Sequence, residues 1–146
     1  MLVVMVMMGI LMSIALPRFG AIRDQAAVSS AKQKLIGYLA TTRAAAIRQS
    51  TTAEFRVWDN NVSATVTQPN GTKLSLGRAE HLDKTEGVVI TRGTGVARDL
   101  ITYDSRGLSL IGTITTPRFI YVVTRNNVKD SICVSRLGLI ARKCGS

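Results

Sequence analysis

His81 is the only histidine, and the two cysteines do not form a Cys-x-x-Cys pair, so the sequence lacks the ligand set of a zinc site. The same scarcity excludes a histidine dyad. His81 is flanked by Glu80 and Asp83 in a polar stretch and reads as a surface residue. No serine stands in a nucleophile elbow, and no carboxylates stand at metal-binding spacing. Gly93-Thr-Gly95 lacks the strand–turn–helix setting of a phosphate loop and reads as a flexible turn. There is no internal repeat, no low-complexity linker and no cofactor motif, and nothing points to an enzyme. Acidic residues are also scarce. Nine of them face nineteen basic residues, giving a net charge of +10. The excess is uneven: +5 over residues 18–50, −1 over 51–91 and +6 over 92–146. The C-terminal cations are mostly arginine, which forks onto phosphate or carboxylate better than lysine does. A solvated basic surface and a polyanion partner both fit this balance.

Charge is absent altogether from Met1 to Leu16, where only Gly9, Ser13 and Ala15 interrupt large apolar side chains. Such a run needs a membrane or other protein to cover it. Sixteen helical residues reach roughly 24 Å, short of the ~30 Å hydrocarbon core. A secretory signal peptide would show a basic n-region and a small-x-small cleavage site. Here the run ends in Leu16-Pro17-Arg18-Phe19 and continues into helical spacing. Over residues 22–48 there is no proline, and Gly37 is the single glycine. Ile22, Ala26, Val28, Leu35, Ile36, Leu39, Ala46 and Ile47 recur at helical intervals, with Arg23, Lys32, Lys34, Arg43 and Arg48 mostly between them. Leu35, Leu39 and Ala46 with Tyr38 form the stripe expected to face a globular head. Pro17 lacks a backbone donor and should kink the helix.

From residue 51 the period changes to that of strands. Candidate strands are 54–58, 62–67, 73–76, 88–91, 100–103, 119–124, 131–135 and 139–143, with turns at Asn60-Asn61 and Gln68-Pro-Asn-Gly71. In the first strand Phe55 and Val57 share one side and Trp58 lies opposite. Trp58 and the tyrosines read as core or half-buried sheet residues, and Arg106 before Gly107 as a turn residue. The fold class is therefore α+β, a long helix packed on an antiparallel β-sheet or β-sandwich head. Its expected divisions are an apolar helix over 1–17, an amphipathic continuation over 18–50 and a β head over 51–146. The apolar start points outside the cytoplasm, where Cys133 and Cys144 can oxidise to a disulfide that closes a short loop and contributes about 2–3 kcal/mol.

Met1-Leu2-Val3-Val4 and the step Ile14-Ala15-Leu16-Pro17 resemble the N-terminal helix of type IV pilins and pseudopilins. The resemblance implies that the assembly Glu, the N-methylated first residue and a basic leader lie upstream of Met1. Restoring about five such mature residues lengthens the apolar helix to about 21, enough to span a bilayer. Within that superfamily, Leu39-Ala-Thr-Thr-Arg-Ala-Ala-Ala-Ile-Arg-Gln49, Ile101-Thr-Tyr-Asp-Ser-Arg-Gly107 and Ile132-Cys-Val-Ser-Arg-Leu-Gly138 with Leu139-Ile-Ala-Arg-Lys-Cys144 resemble the FimT/GspH subgroup. The subgroup implies a minor pilin at or near a pilus tip or, alternatively, a minor pseudopilin of a type II secretion system. The partners implied are other pilins through the helix, and the inner membrane before assembly. The head would lie in the periplasm on a single-pass anchor. A third possibility is a DNA-uptake module. Some members bind DNA through a Gly-Arg-x-Arg stretch at this end of the chain. Here Leu139 follows Gly138, and the basic pair comes later as Arg142-Lys143. Arg136, Arg142 and Lys143 are accordingly the candidate contacts to double-stranded DNA, on a hairpin expected to bring Arg136 and Arg142 together.

Overall fold

A computed structural model describes residues 2–93, 100–110, 118–142 and 144, with side chains at residue 7 and from residue 20 onward. Its first element is one helix, α1 (Leu2–Gln49), which runs through Pro17 without ending there. Residues 27–46 bury a stripe of Val28, Ala31, Leu35, Leu39, Thr42 and Ala46, spaced three, four or seven apart as one helical face requires. Lys32 belongs to the same stripe and is 9% exposed. The helix stops where Ser50 turns to φ +50°. The Thr51 N–H then donates to the Ala46 carbonyl at 3.1 Å, and the Ser50 N–H to the Ile47 carbonyl at 3.2 Å. This paired closure satisfies two of the carbonyls that a helix end leaves open.

The strands that follow are β1 (Ala53–Trp58), β2 (Asn61–Thr67), β3 (Lys73–Ser75) and β4 (Glu80–His81). A short helix, α2 (Leu82–Glu86), leads to β5 (Val89–Arg92), β6 (Leu100–Tyr103) and β7 (Ser109–Leu110). The chain finishes with β8 (Arg118–Arg125), β9 (Val128–Ser135) and β10 (Ile140–Ala141). All described pairings are antiparallel, in two sheets. One has the order β3-β2-β1-β6-β7, with β4 also paired to β2; the other has the order β10-β9-β8-β5. The α+β class expected from periodicity is the class observed. β4, α2 and β7 carry no periodicity signal, because two to five residues are too few to show one. The β1–β2 turn is Asp59–Asn60 rather than Asn60–Asn61. Trp58 pairs with Asn61, and both loop residues have positive φ, 48° and 57°. A two-residue loop of that hand matches strand twist, and Asp and Asn tolerate it better than other side chains.

The core lies between α1 and the inner faces of both sheets. Period-two alternation sends Ala53, Phe55 and Val57 of β1, Val62, Ala64 and Val66 of β2, and Ile101 and Tyr103 of β6 inward from the first sheet. Phe119, Tyr121 and Val123 of β8 with Ile132 and Val134 of β9 face them from the second. Phe55 and Tyr121 join the sheets edge-on, with ring centroids 5.9 Å apart and planes at 78°. Leu35 and Leu39 are fully buried against this layer. Truncating a side chain so placed costs about 2–5 kcal/mol.

Candidate functional site

Polar clasps hold α1 to the head at several points among the described residues. Asp24 pairs with Arg125 Nε at 2.8 Å and accepts from Asn126 Nδ2 at 2.7 Å, catching the β8–β9 turn. Lys32 Nζ lies 2.6 Å from Asp130 Oδ2 and also donates to the Arg142 carbonyl. Arg43 donates from Nε to the Gly107 carbonyl at 3.1 Å and from Nη2 to the Leu137 carbonyl at 3.4 Å. Parity explains the Lys32 clasp. Asp130 alternates with Ile132 and Val134 on β9, and Lys32 stands four residues after Val28 and three before Leu35. Asp130 keeps 37% of its side chain exposed, so the pair offsets chiefly the desolvation of Lys32. Lys32 reads in sequence as one of the cations between the apolar positions, and its spacing to Val28 and Leu35 is the signal that identifies it as buried.

Asp24 is clasped by the head, and Gly20, Ala21, Ile22 and Arg23 before it are exposed. From Leu2 to Asp24 the helix covers about 33 Å of axis. No helix among the described residues is long and apolar enough to cross a membrane.

Cys133 and Cys144 form the expected disulfide, with Cα atoms 5.4 Å apart. It ties the chain after β10 to the outer side of β9, where Ala141 pairs with Cys133 and Ile140 with Val134. Of the three candidate DNA contacts, Arg136 and Arg142 are exposed and Lys143 lies outside the described residues. The hairpin forms, but it does not bring the two arginines together. Arg136 sits in the turn closed by the Gly138 N–H donating to the Ser135 carbonyl at 2.9 Å. Arg142 follows Ala141, so about four strand positions, roughly 13 Å, separate the two. His81 is exposed, with Nδ1 4.0 Å from Asp83. Arg106 occupies the turn between β6 and β7, where its N–H donates to Asp104 Oδ1 at 2.9 Å. Of the Gly93-Thr-Gly95 turn only Gly93 is among the described residues.

Trp58 departs from its reading as a core or half-buried residue: it is 68% exposed. The outer face of the first sheet also presents exposed Arg56 on β1, half-buried Leu100 opposite it on β6, and Leu110 of β7, which is 54% exposed. Strand parity put Trp58 opposite Phe55 and Val57, so the side was legible. What the sequence hid is that nothing in the described chain covers that side. Tyr103 and Tyr121 are buried as expected, and Tyr38 is half-buried.

Crystal structures of the type IV minor pilin FimU from Pseudomonas aeruginosa share this architecture. One aligns with a TM-score of 0.64 at 15% identity, over 84% of this chain and 92% of that one. A second crystal form aligns at 0.60 and 16%, over 80% and 92%. The fold is that of a type IV pilin. At this identity the likeness is one of architecture, and no family model and no curated protein sequence matches the chain. The arrangement is one long helix, a two-sheet head clasped to it at Asp24, Lys32 and Arg43, and a disulfide that ties residue 144 to β9.

Proposed function

We propose that this protein is a minor type IV pilin, a structural subunit at or near the filament tip. The observation that carries this reading is one helix that joins the uncharged run of residues 2–16 to the stripe packed on the head, on a head with the fold of the FimU structures. An apolar helix of that kind needs a solvent other than water. The inner membrane supplies it before assembly, and the helices of neighbouring subunits replace the lipid within the filament. The head then lies in the periplasm and makes lateral contacts. Its exposed Trp58, Arg56 and Leu110 suit that role, because tryptophan and arginine are the residues most enriched where partners grip one another.

Filaments sheared from cells that express the protein from its own gene are the test. The chain is expected in the sheared fraction and, by gold labelling, at filament ends. A chain found only in the membrane fraction, with piliation unchanged by its deletion, would remove the proposal. Loss of protein secretion without loss of pili would instead assign it to a type II secretion pseudopilus.

A second reading is a nonspecific duplex-DNA contact through Arg136, Arg142 and Lys143, favoured by the exposure of the first two and by the +6 balance of residues 92–146. Phosphate contacts of this kind give dissociation constants of about 10⁻⁴–10⁻⁶ M that weaken as salt rises. Titration of Arg142→Ala/Lys143→Ala against wild type decides it: equal affinity, or none in either protein, excludes the hairpin.

A further inference from the structure

Beside the middle of α1, the segment that contains β4 and α2 forms an open cleft of about 450 Å³. That volume is within the range of ligand-binding clefts. Tyr38 of α1 makes one wall, and Arg78, Glu80, His81 and Lys84 line the rest. The charges of this segment are divided unequally. Its carboxylates are largely engaged from behind by the helix. Lys34 Nζ lies 2.6 Å from Glu80 Oε1 and 2.9 Å from Glu86 Oε1, and Ser30 Oγ adds a hydrogen bond to Glu86 at 3.1 Å. The cations are not engaged. Arg78 and Lys84 are exposed, and neither side chain makes a hydrogen bond or ion pair among the described residues. Lys34 holds the Glu80 carboxylate, and Arg78 makes no ion pair with it. The backbone that carries Arg78 is fixed, because the Tyr38 hydroxyl donates to the Arg78 carbonyl at 2.8 Å. The cleft therefore holds two uncommitted cations on a positioned segment, beside an aromatic wall.

We propose that this cleft receives the carboxylates of an acidic peptide segment on a partner protein. Arginine forks onto a carboxylate through two parallel hydrogen bonds, and Lys84 adds a second point of attachment. Glu80 in the lining and Asp83 nearby repel the dense charge of a phosphate more than the single charge of a carboxylate. A second copy of this chain is a poor occupant, because each copy carries +10 and repels the other. The inference rests on the filament reading only for its natural source, an acidic neighbouring subunit; the binding itself needs no filament.

The test is a titration of the ¹⁵N-labelled full chain, in non-ionic detergent, with acetylated tetraglutamate amide at low and high salt. Saturable amide shifts are expected at Tyr38 and over residues 78–85. Affinity should fall roughly tenfold in Arg78→Ala/Lys84→Ala, stay unchanged in Lys129→Ala on the exposed side of β9, and weaken as salt rises. Lys84→Glu alone, which leaves the Arg78 backbone anchor intact, should abolish binding. Shifts spread over the whole basic surface, with equal affinity in the double variant, would overturn the proposal. So would inorganic phosphate saturating these residues while the peptide does not. Peptide binding without filament incorporation keeps the cleft and removes the filament role; incorporation without peptide binding removes the cleft alone.

Discussion

Replacing Gly138 with alanine perturbs the point where three elements converge at the C-terminal end of α1. Gly138 lies in the β9–β10 turn at φ +69°, and an added Cβ would overlap the Gly107 carbonyl oxygen and come within 3.1 Å of Arg43 Nε. Two costs follow. The left-handed backbone disfavours a side chain by about 1–2 kcal/mol. The overlap is with backbone, so the β9–β10 turn must move away from the β6–β7 turn, and overpacking of that kind costs about 1–3 kcal/mol. The movement also threatens the Arg43 bonds to Gly107 and Leu137, at 3.1 and 3.4 Å, and the Ser109 N–H bond to the Arg136 carbonyl at 3.0 Å. A total of about 2–5 kcal/mol is expected. Gly71 separates the two contributions, because it has φ +82° but nothing within 4 Å of the added atom. Gly71→Ala should therefore cost about 1 kcal/mol from backbone strain alone. Urea denaturation in non-ionic detergent, followed by circular dichroism, compares them. Equal destabilisation by the two substitutions would refute the convergence of turns and helix described above.

Cys133→Ser/Cys144→Ser should lower stability by about 2–3 kcal/mol and expose residues after β10 to proteolysis while leaving the α1–sheet core folded. Non-reducing mass spectrometry of periplasmic protein should show no free thiol, and two free thiols would contradict the bridge. The hydrogen bond from Lys34, partly opposed by burial, holds the Glu86 carboxyl below its ordinary 4.5. A depressed carboxyl stabilises the fold above its unfolded value and loses that contribution as pH falls through its folded value. Glu86→Gln should thus reduce the acid-side slope of stability below pH 4.5, and an unchanged slope would count against the Lys34 clasp. Tyr103 is fully buried, its hydroxyl has no hydrogen-bond partner among the described residues, and burial pushes its pKa up to about 12. Tyr103→Phe should be neutral or stabilising by up to about 1 kcal/mol in the same denaturation assay, because it removes a polar group that folding leaves unpaired.

Much of the architecture was legible along the chain because burial follows period. Spacing of three and four placed Leu35, Leu39 and Ala46 on the buried face of α1, and spacing of two placed Phe55, Val57 and Ile101 inward. The Cys133–Cys144 pairing followed from there being only two cysteines, near each other in the chain. The sequence determined these features because each depends on neighbours within a few residues. What tertiary structure decided depends on partners far apart in the chain. Arg43 looks like one more helical cation until it reaches Gly107 and Leu137, sixty-four and ninety-four residues away. Arg136 and Arg142 belong to one hairpin, but the pairing of Ala141 with Cys133 keeps them apart. Trp58 carried its parity in the sequence, yet its exposure was set by the absence of any described element across that face. Lys34 holds the carboxylates of Glu80 and Glu86, more than forty residues later in the chain, while the Arg78 and Lys84 side chains make no bond among the described residues. Local periodicity settles which way a side chain points, and only the packed structure settles what meets it there.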